Sequence, residues 1–118
     1  MNNKFSRYND GVVYIYRVKE KEEDFSSNVS MSSINDLDFI VKLDYEEASK
    51  RERDLEFAEQ HGFSLSLKIK TRLYNHVDNK CKAIINNYLY DISHLDKSKN
   101  EMWLYLEGEK PMVREVYL

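Results

Sequence analysis

His61, His76 and His94 are the only histidines in the chain, and Cys81 is its only cysteine. Zinc ligands come in close pairs, and these residues match no such spacing. His76 lies two residues from Asp78, a pair able to hold a cation or simply to sit in a solvated turn. Cys81 alternates in phase with Ala83 and Ile85, so it reads as a small buried hydrophobe. A thiol nucleophile would need a basic partner, and none is marked out by the sequence. No Gly-x-Ser-x-Gly occurs, and three glycines leave no room for a phosphate-cradling loop. Carboxylates gather in residues 20–24 and 44–59, where solvated charge accounts for them. Asp91 and Asp96 merely follow a turn. The chain therefore reads as a non-enzyme with no catalytic residues, no metal site and no cofactor.

Composition narrows the partners. The chain has 118 residues, enough for one domain with a real core and no disulfide. A single cysteine excludes an internal bridge and points to synthesis in a reducing cytosol. No apolar stretch is long enough to span a bilayer, and "MNNKFSRYND" has no signal-like apolar run. Eighteen Lys and Arg are spread among twenty-one Asp and Glu, a net charge of −3. Tight nucleic-acid binding, which draws most of its affinity from phosphate neutralisation, is disfavoured. Nine tyrosines suit half-buried strands and contact surfaces.

The elements that must position these residues follow from periodicity. "GVVYIYRVK" (11–19) alternates and predicts a strand covered on most of both faces. Residues 20–36, charged and then serine-rich, predict a long loop. In "LDFIVKLDY", Leu37, Phe39, Val41 and Leu43 share a phase, predicting a second strand. Asp44 followed by Glu47 has capping-box spacing, and Gly62 fits a left-handed C-terminal position. A helix is therefore predicted over roughly 45–61, with Ala48, Leu55 and Ala58 on one face and His61 at the negative end of its dipole.

Phe63, Leu65, Leu67, Ile69, Thr71 and Leu73 form the oily face of the longest predicted strand, "FSLSLKIKTRLY". Ser64, Ser66, Lys68, Lys70, Arg72 and Tyr74 form its wet face. A polar break, "NHVDNK", precedes two strands in "CKAIINNYLYDI", joined through Asn86–Asn87 in a tight hairpin. "SHLDKSKN" predicts a loop, "EMWLYLEGE" a strand that ends before Pro111, and "MVREVYL" a short alternating tail. Six strands and one helix without crossovers favour an antiparallel sheet, curled into a small barrel that removes its own edges. A two-layer sandwich with the helix on one face is the alternative.

The order of these pieces resembles the head-closure (head–tail joining, or stopper) proteins of long-tailed double-stranded DNA bacteriophages. The likeness spans residues 11–107 and is carried by the Arg/Glu-rich "RERDLEFAEQHG", the basic strand "LSLKIKTRLY" and the hairpin "AIINNYLYDI". Asn86–Asn87 stands where glycines are often seen, and the tail beyond Glu107 falls outside the pattern. The resemblance implies a virion protein, made in the host bacterial cytoplasm, that forms a homo-oligomeric, twelvefold ring in the neck. It implies docking below the portal or its adaptor, retention of packaged DNA without sequence-specific binding, and attachment of a tail terminator below, with no membrane partner.

Within that reading, the expected partner or channel contacts are Glu22, Glu23, Asp24 and Phe25 of the long loop. Val113, Val116 and Tyr117 of the tail are expected to pair with an adjacent subunit. Other readings are a different neck ring protein, such as an adaptor or tail terminator, and a small ligand-binding accessory domain.

Overall fold

The structure, a computed structural model, describes residues 8–19 and 37–111. Its elements are β1 (Gly11–Val18), β2 (Leu37–Ala48), α1 (Glu52–Gln60), β3 (Leu67–Arg72), β4 (Cys81–Ile85), β5 (Tyr88–Lys97) and β6 (Glu101–Pro111). The six strands close into an antiparallel barrel in the order β1-β2-β3-β6-β5-β4. The barrel and single helix expected from the sequence are both present. The predicted loop 20–36 and the tail "MVREVYL" lie outside the described residues, as do all seven expected contact residues: Glu22, Glu23, Asp24, Phe25, Val113, Val116 and Tyr117.

Alternation puts hydrocarbon inside the wall. Val13 and Ile15 of β1, Ile69 of β3, Ala83 of β4, Ile92 of β5, and Met102, Leu104 and Leu106 of β6 are buried in one core. Thr71 is buried there too, and its hydroxyl donates to the Arg72 carbonyl at 2.9 Å, so no polar hydrogen is stranded. The polar break "NHVDNK" hides Val77, which is fully buried in the same core. β1 is covered less than expected, since Tyr14 is exposed on its outer side. Asn86 and Asn87 both take positive φ (54° and 69°), the conformation a two-residue hairpin demands.

Two bulges explain where the expected phases fail. Ile15 pairs with Val41 while Tyr16 pairs with Phe39, so Ile40 is an extra residue in β2. Leu43 and Val41 point inward as expected, but beyond Ile40 the phase flips. Phe39 is therefore on the outer face, 55% exposed, against the expectation that it lines the core. In β5, Ile92 pairs with Leu106 and His94 with Tyr105, leaving Ser93 unpaired. Past it, Leu95 rather than an even-numbered residue turns inward. That shift disguises a strand running to Lys97, where the sequence predicts a loop from residue 93. A third irregularity lies opposite Leu89–Asp91, beside Gly108 at φ 79°, and β6 carries on to pair Pro111 with Tyr88.

The helix prediction over 45–61 is corrected at its start. Tyr45–Ala48 belong to β2 and pair with Thr71–Lys68 of β3. Four ladder positions and the burial of Tyr45 outweigh the local capping signal of Asp44 and Glu47. The helix instead begins after Arg51, whose amide donates to Asp54 Oδ2 at 2.9 Å. Its end is as expected: His61 is the C-cap and Gly62 has φ 80°. The strand predicted over 63–74 is shorter, because Phe63 turns away to pack on Phe57. No helix among the described residues is long and apolar enough to cross a membrane.

The phase flip at Ile40 is testable by urea denaturation. Leu104→Ala removes a fully buried side chain and is expected to destabilise the protein by about 2–5 kcal/mol. Phe39→Ala is expected to change stability by no more than about 1 kcal/mol. Equal losses would place Phe39 in the core and reject the bulge.

Candidate functional site

Two regions of the barrel surface carry more than solvated charge. The first is the rim where β1 ends and β2 begins. Val18 pairs with Leu37, so the two ends of the 20–36 connection are clamped side by side. Tyr16 meets Phe39 edge to face, with ring centroids 5.5 Å apart. Leu37, Ile84 and Leu89 form a second small apolar cluster, against which Tyr16 and Val18 pack. Lys19 and Asp38 approach only to 4.0 Å, both well exposed, and contribute little. The sequence marks this rim only indirectly: Phe39 is lost to the core in a reading that assumes unbroken alternation.

The second region is where α1 docks on the outer wall. Lys68 of β3 reaches Asp54 of the helix at 2.9 Å, with side-chain exposures of 11% and 9%. Asp54 thus ties three elements of the local structure: its carboxylate caps Arg51, begins the helix and holds the wall. Burial by itself would raise the Asp54 carboxyl. The Arg51 amide and the Lys68 ammonium more than offset it and hold the group below the usual carboxylate range.

Phe57 seats the other side of the helix between two imidazoles, His61 at 3.9 Å and His94 at 4.7 Å between ring centroids. His94 Nε2 lies 3.1 Å from Asp96 Oδ1, and the Tyr105 hydroxyl donates to Asp96 Oδ2 at 3.3 Å. Burial, helped by the negative charges of Asp96 and Asp54, pushes the Tyr105 phenol up to about 12. A histidine, a carboxylate and a tyrosine in a chain could relay a proton. The group they share is the Asp96 carboxylate, and the Tyr105 hydroxyl is held neutral. The cluster is best described as the clamp that fixes α1.

The wet face of the basic strand is not free cationic surface. Lys68 is taken by Asp54, and Lys70 lies 3.5 Å from Glu46 and 3.8 Å from Glu101. The Arg72 guanidinium sits over the Tyr8 ring, 5.3 Å from its centroid. Carboxylates therefore neutralise Lys68 and Lys70, while Arg72 stays exposed over the Tyr8 ring.

The other candidates from the sequence resolve into structural roles. Arg17 approaches Asp78 Oδ2 at 3.5 Å and donates to the His76 carbonyl at 3.3 Å, filling the place a cation would take beside that pair. The Lys80 amide, donating to Oδ1, is the largest influence holding Asp78 below the usual carboxylate range. Cys81 is buried, and burial pushes its thiol up, away from the reactive thiolate. Asp91 pairs with Lys82 at 2.6 Å on the outer wall. Among the described residues, no group of three or more His, Cys, Asp or Glu is arranged to hold a metal ion. An open groove lined by Val77, Asp78, Asn79, His94, Leu95 and Lys97 is shallow and mostly polar.

Compared with known proteins, the chain matches no family model and no curated sequence.

Asp54→Ala leaves Lys68 poorly solvated without a partner and uncaps α1, and is expected to destabilise the fold by about 2–4 kcal/mol. Asp54 is more acidic folded than unfolded, so its contribution is present above its ordinary value of 3.8. That contribution is lost as pH falls through the lower folded value, and the variant should lack that part of the acid loss. Tyr105 acts in the opposite direction. Its folded value is raised, so stability is full below pH 10 and lost as pH climbs toward about 12. Tyr105→Phe should flatten that alkaline limb in denaturation curves taken across pH.

Proposed function

We propose that this protein is a ring-forming head-closure protein of a bacteriophage neck. In this reading it docks below the portal or its adaptor, helps retain packaged DNA and presents the surface to which the tail attaches. The single observation that carries the reading is the placement of the long connection. A closed, rigid barrel holds both ends of an acidic, serine-rich segment side by side at one rim, through the Val18–Leu37 pair. A stopper needs that combination: a stiff body that packs in a ring, and a segment long enough to reach an axial channel. The ordered likeness over residues 11–107 adds to it.

The charge pattern supports the same reading. DNA must leave such a channel quickly, so a wall without exposed cationic stripes is an advantage. The neutralised face of β3 and the net charge of −3 meet that requirement. Glu22, Glu23 and Asp24 would face the channel or a neighbour without gripping phosphate. Phe25, the large apolar group of the segment, would dock on an adjacent subunit.

Deleting residues 21–33 while keeping the Val18–Leu37 clamp tests this role. Mutant particles are expected to fill with DNA, then lose it and fail to acquire tails. Particles that keep their DNA and mature normally would show that this connection is not the closure element.

A further inference from the structure

Two exposed faces stand on opposite walls of the barrel. The first spans β2, β1 and β4. Tyr14 pairs with Lys42 on one side and Ile84 on the other, and Tyr16 pairs with Phe39 and Lys82 in the same way. Directly opposed residues share a face, so these side chains form one outer patch. Tyr14 remains 39% exposed and Phe39 55%, while Ile84 beside them is buried. Single exposed apolar residues are ordinary, but a contiguous aromatic patch across three strands marks a contact surface.

The second face is the outer side of α1. Leu55 is 47% exposed there, with exposed Glu52 and Glu59 on the same side of the helix and exposed Glu56 next to it. Among the described residues, neither these glutamates nor Lys42 has an ion-pair partner. Lys82 is held by Asp91, so Lys42 is the charge that the aromatic patch has to offer. One wall thus presents rings around a cation, and the other an aliphatic side chain framed by carboxylates.

We infer that the aromatic patch of one copy receives the exposed face of α1 from a second copy. Leu55 seats against Tyr14 and Phe39, and the flanking glutamates surround Lys42. Apolar surface meets apolar surface, and opposite charges answer one another. The chain's own helix cannot be the occupant. α1 is fixed to β3 through Asp54 and Lys68, and to β5 and β6 through Phe57 against His94 and Tyr105. In the closed order, β6 lies three strands from β1 in either direction, so the helix and the patch face away from each other.

Each copy thus accepts one helix and presents another, a head-to-tail contact that closes into a ring when the rotation per subunit allows. The pairing stands on the two faces and their charges. It names how the copies of the proposed neck ring would grip one another, yet it holds equally if the viral role fails.

Sedimentation of the full-length chain over a range of concentrations, beside charge-reversed variants, decides the matter. The unaltered chain should self-associate as its concentration rises. Lys42→Glu, and separately Glu52→Lys with Glu59→Lys, should each weaken that association by about tenfold or more, because like charges then face each other. An equimolar mixture of the two variants should recover it, since the reversed patch of one meets the reversed helix of the other. All three positions are exposed, and unchanged urea midpoints verify that the variants are folded. A chain that stays monomeric, or variants that associate as tightly as the unaltered chain, would overturn the inference. So would a mixture that fails to recover, which would mean that the chain's own 20–36 connection or a different protein covers the patch. None of these results bears on whether residues 21–33 close the head.

Discussion

Four residue pairs between β1 and β4 decide the character of the whole molecule. Tyr14 lies opposite Ile84, Ile15 opposite Ala83, Tyr16 opposite Lys82 and Arg17 opposite Cys81. Without them the six strands would be an open sheet with one oily face in water. With them the same face becomes an interior, and Ile15, Ile69, Met102, Leu104 and Leu106 are removed from solvent together. Every other feature follows from that closure. The helix has to dock outside because the inside is full. The connection between β1 and β2 has to leave from a rim, and the charged faces of the strands have to find partners on the outer wall.

Closure also limits what the surface can do. Lysines that alternate with core residues stay on the outside, where the chain meets them with carboxylates from α1, β2 and β6. The Asp54–Lys68 pair is the tightest case. It begins a helix, anchors it and neutralises a cation in one contact. The result is a wall on which Lys68 and Lys70 are neutralised by carboxylates rather than left as a cationic stripe.

The sequence was legible wherever one rule operated alone. Strict alternation revealed the phase of Cys81, Ala83 and Ile85 in β4, and two asparagines in succession marked the hairpin. It misled where two rules competed. Asp44 and Glu47 have helix-capping spacing, but tertiary pairing of Tyr45–Ala48 with β3 prevails. Ile40 and Ser93 each insert one residue into a ladder, and a period-two reading has no way to register an insertion. Those slips put Phe39 on the wrong face and turned the second half of β5 into a loop. The clamp around Phe57, His94, Asp96 and Tyr105 was invisible for the same reason. Its members come from three elements, and only the corrected register of β5 brings His94 and Tyr105 opposite one another.

Nuclear Overhauser effects across the closing seam test the barrel most directly. The account predicts cross-strand contacts between Tyr14 and Ile84 and between Tyr16 and Lys82, alongside those joining β1 to β2. A spectrum that shows the β1–β2 ladder intact but no contact between β1 and β4 would contradict it, leaving an open sheet with its core uncovered.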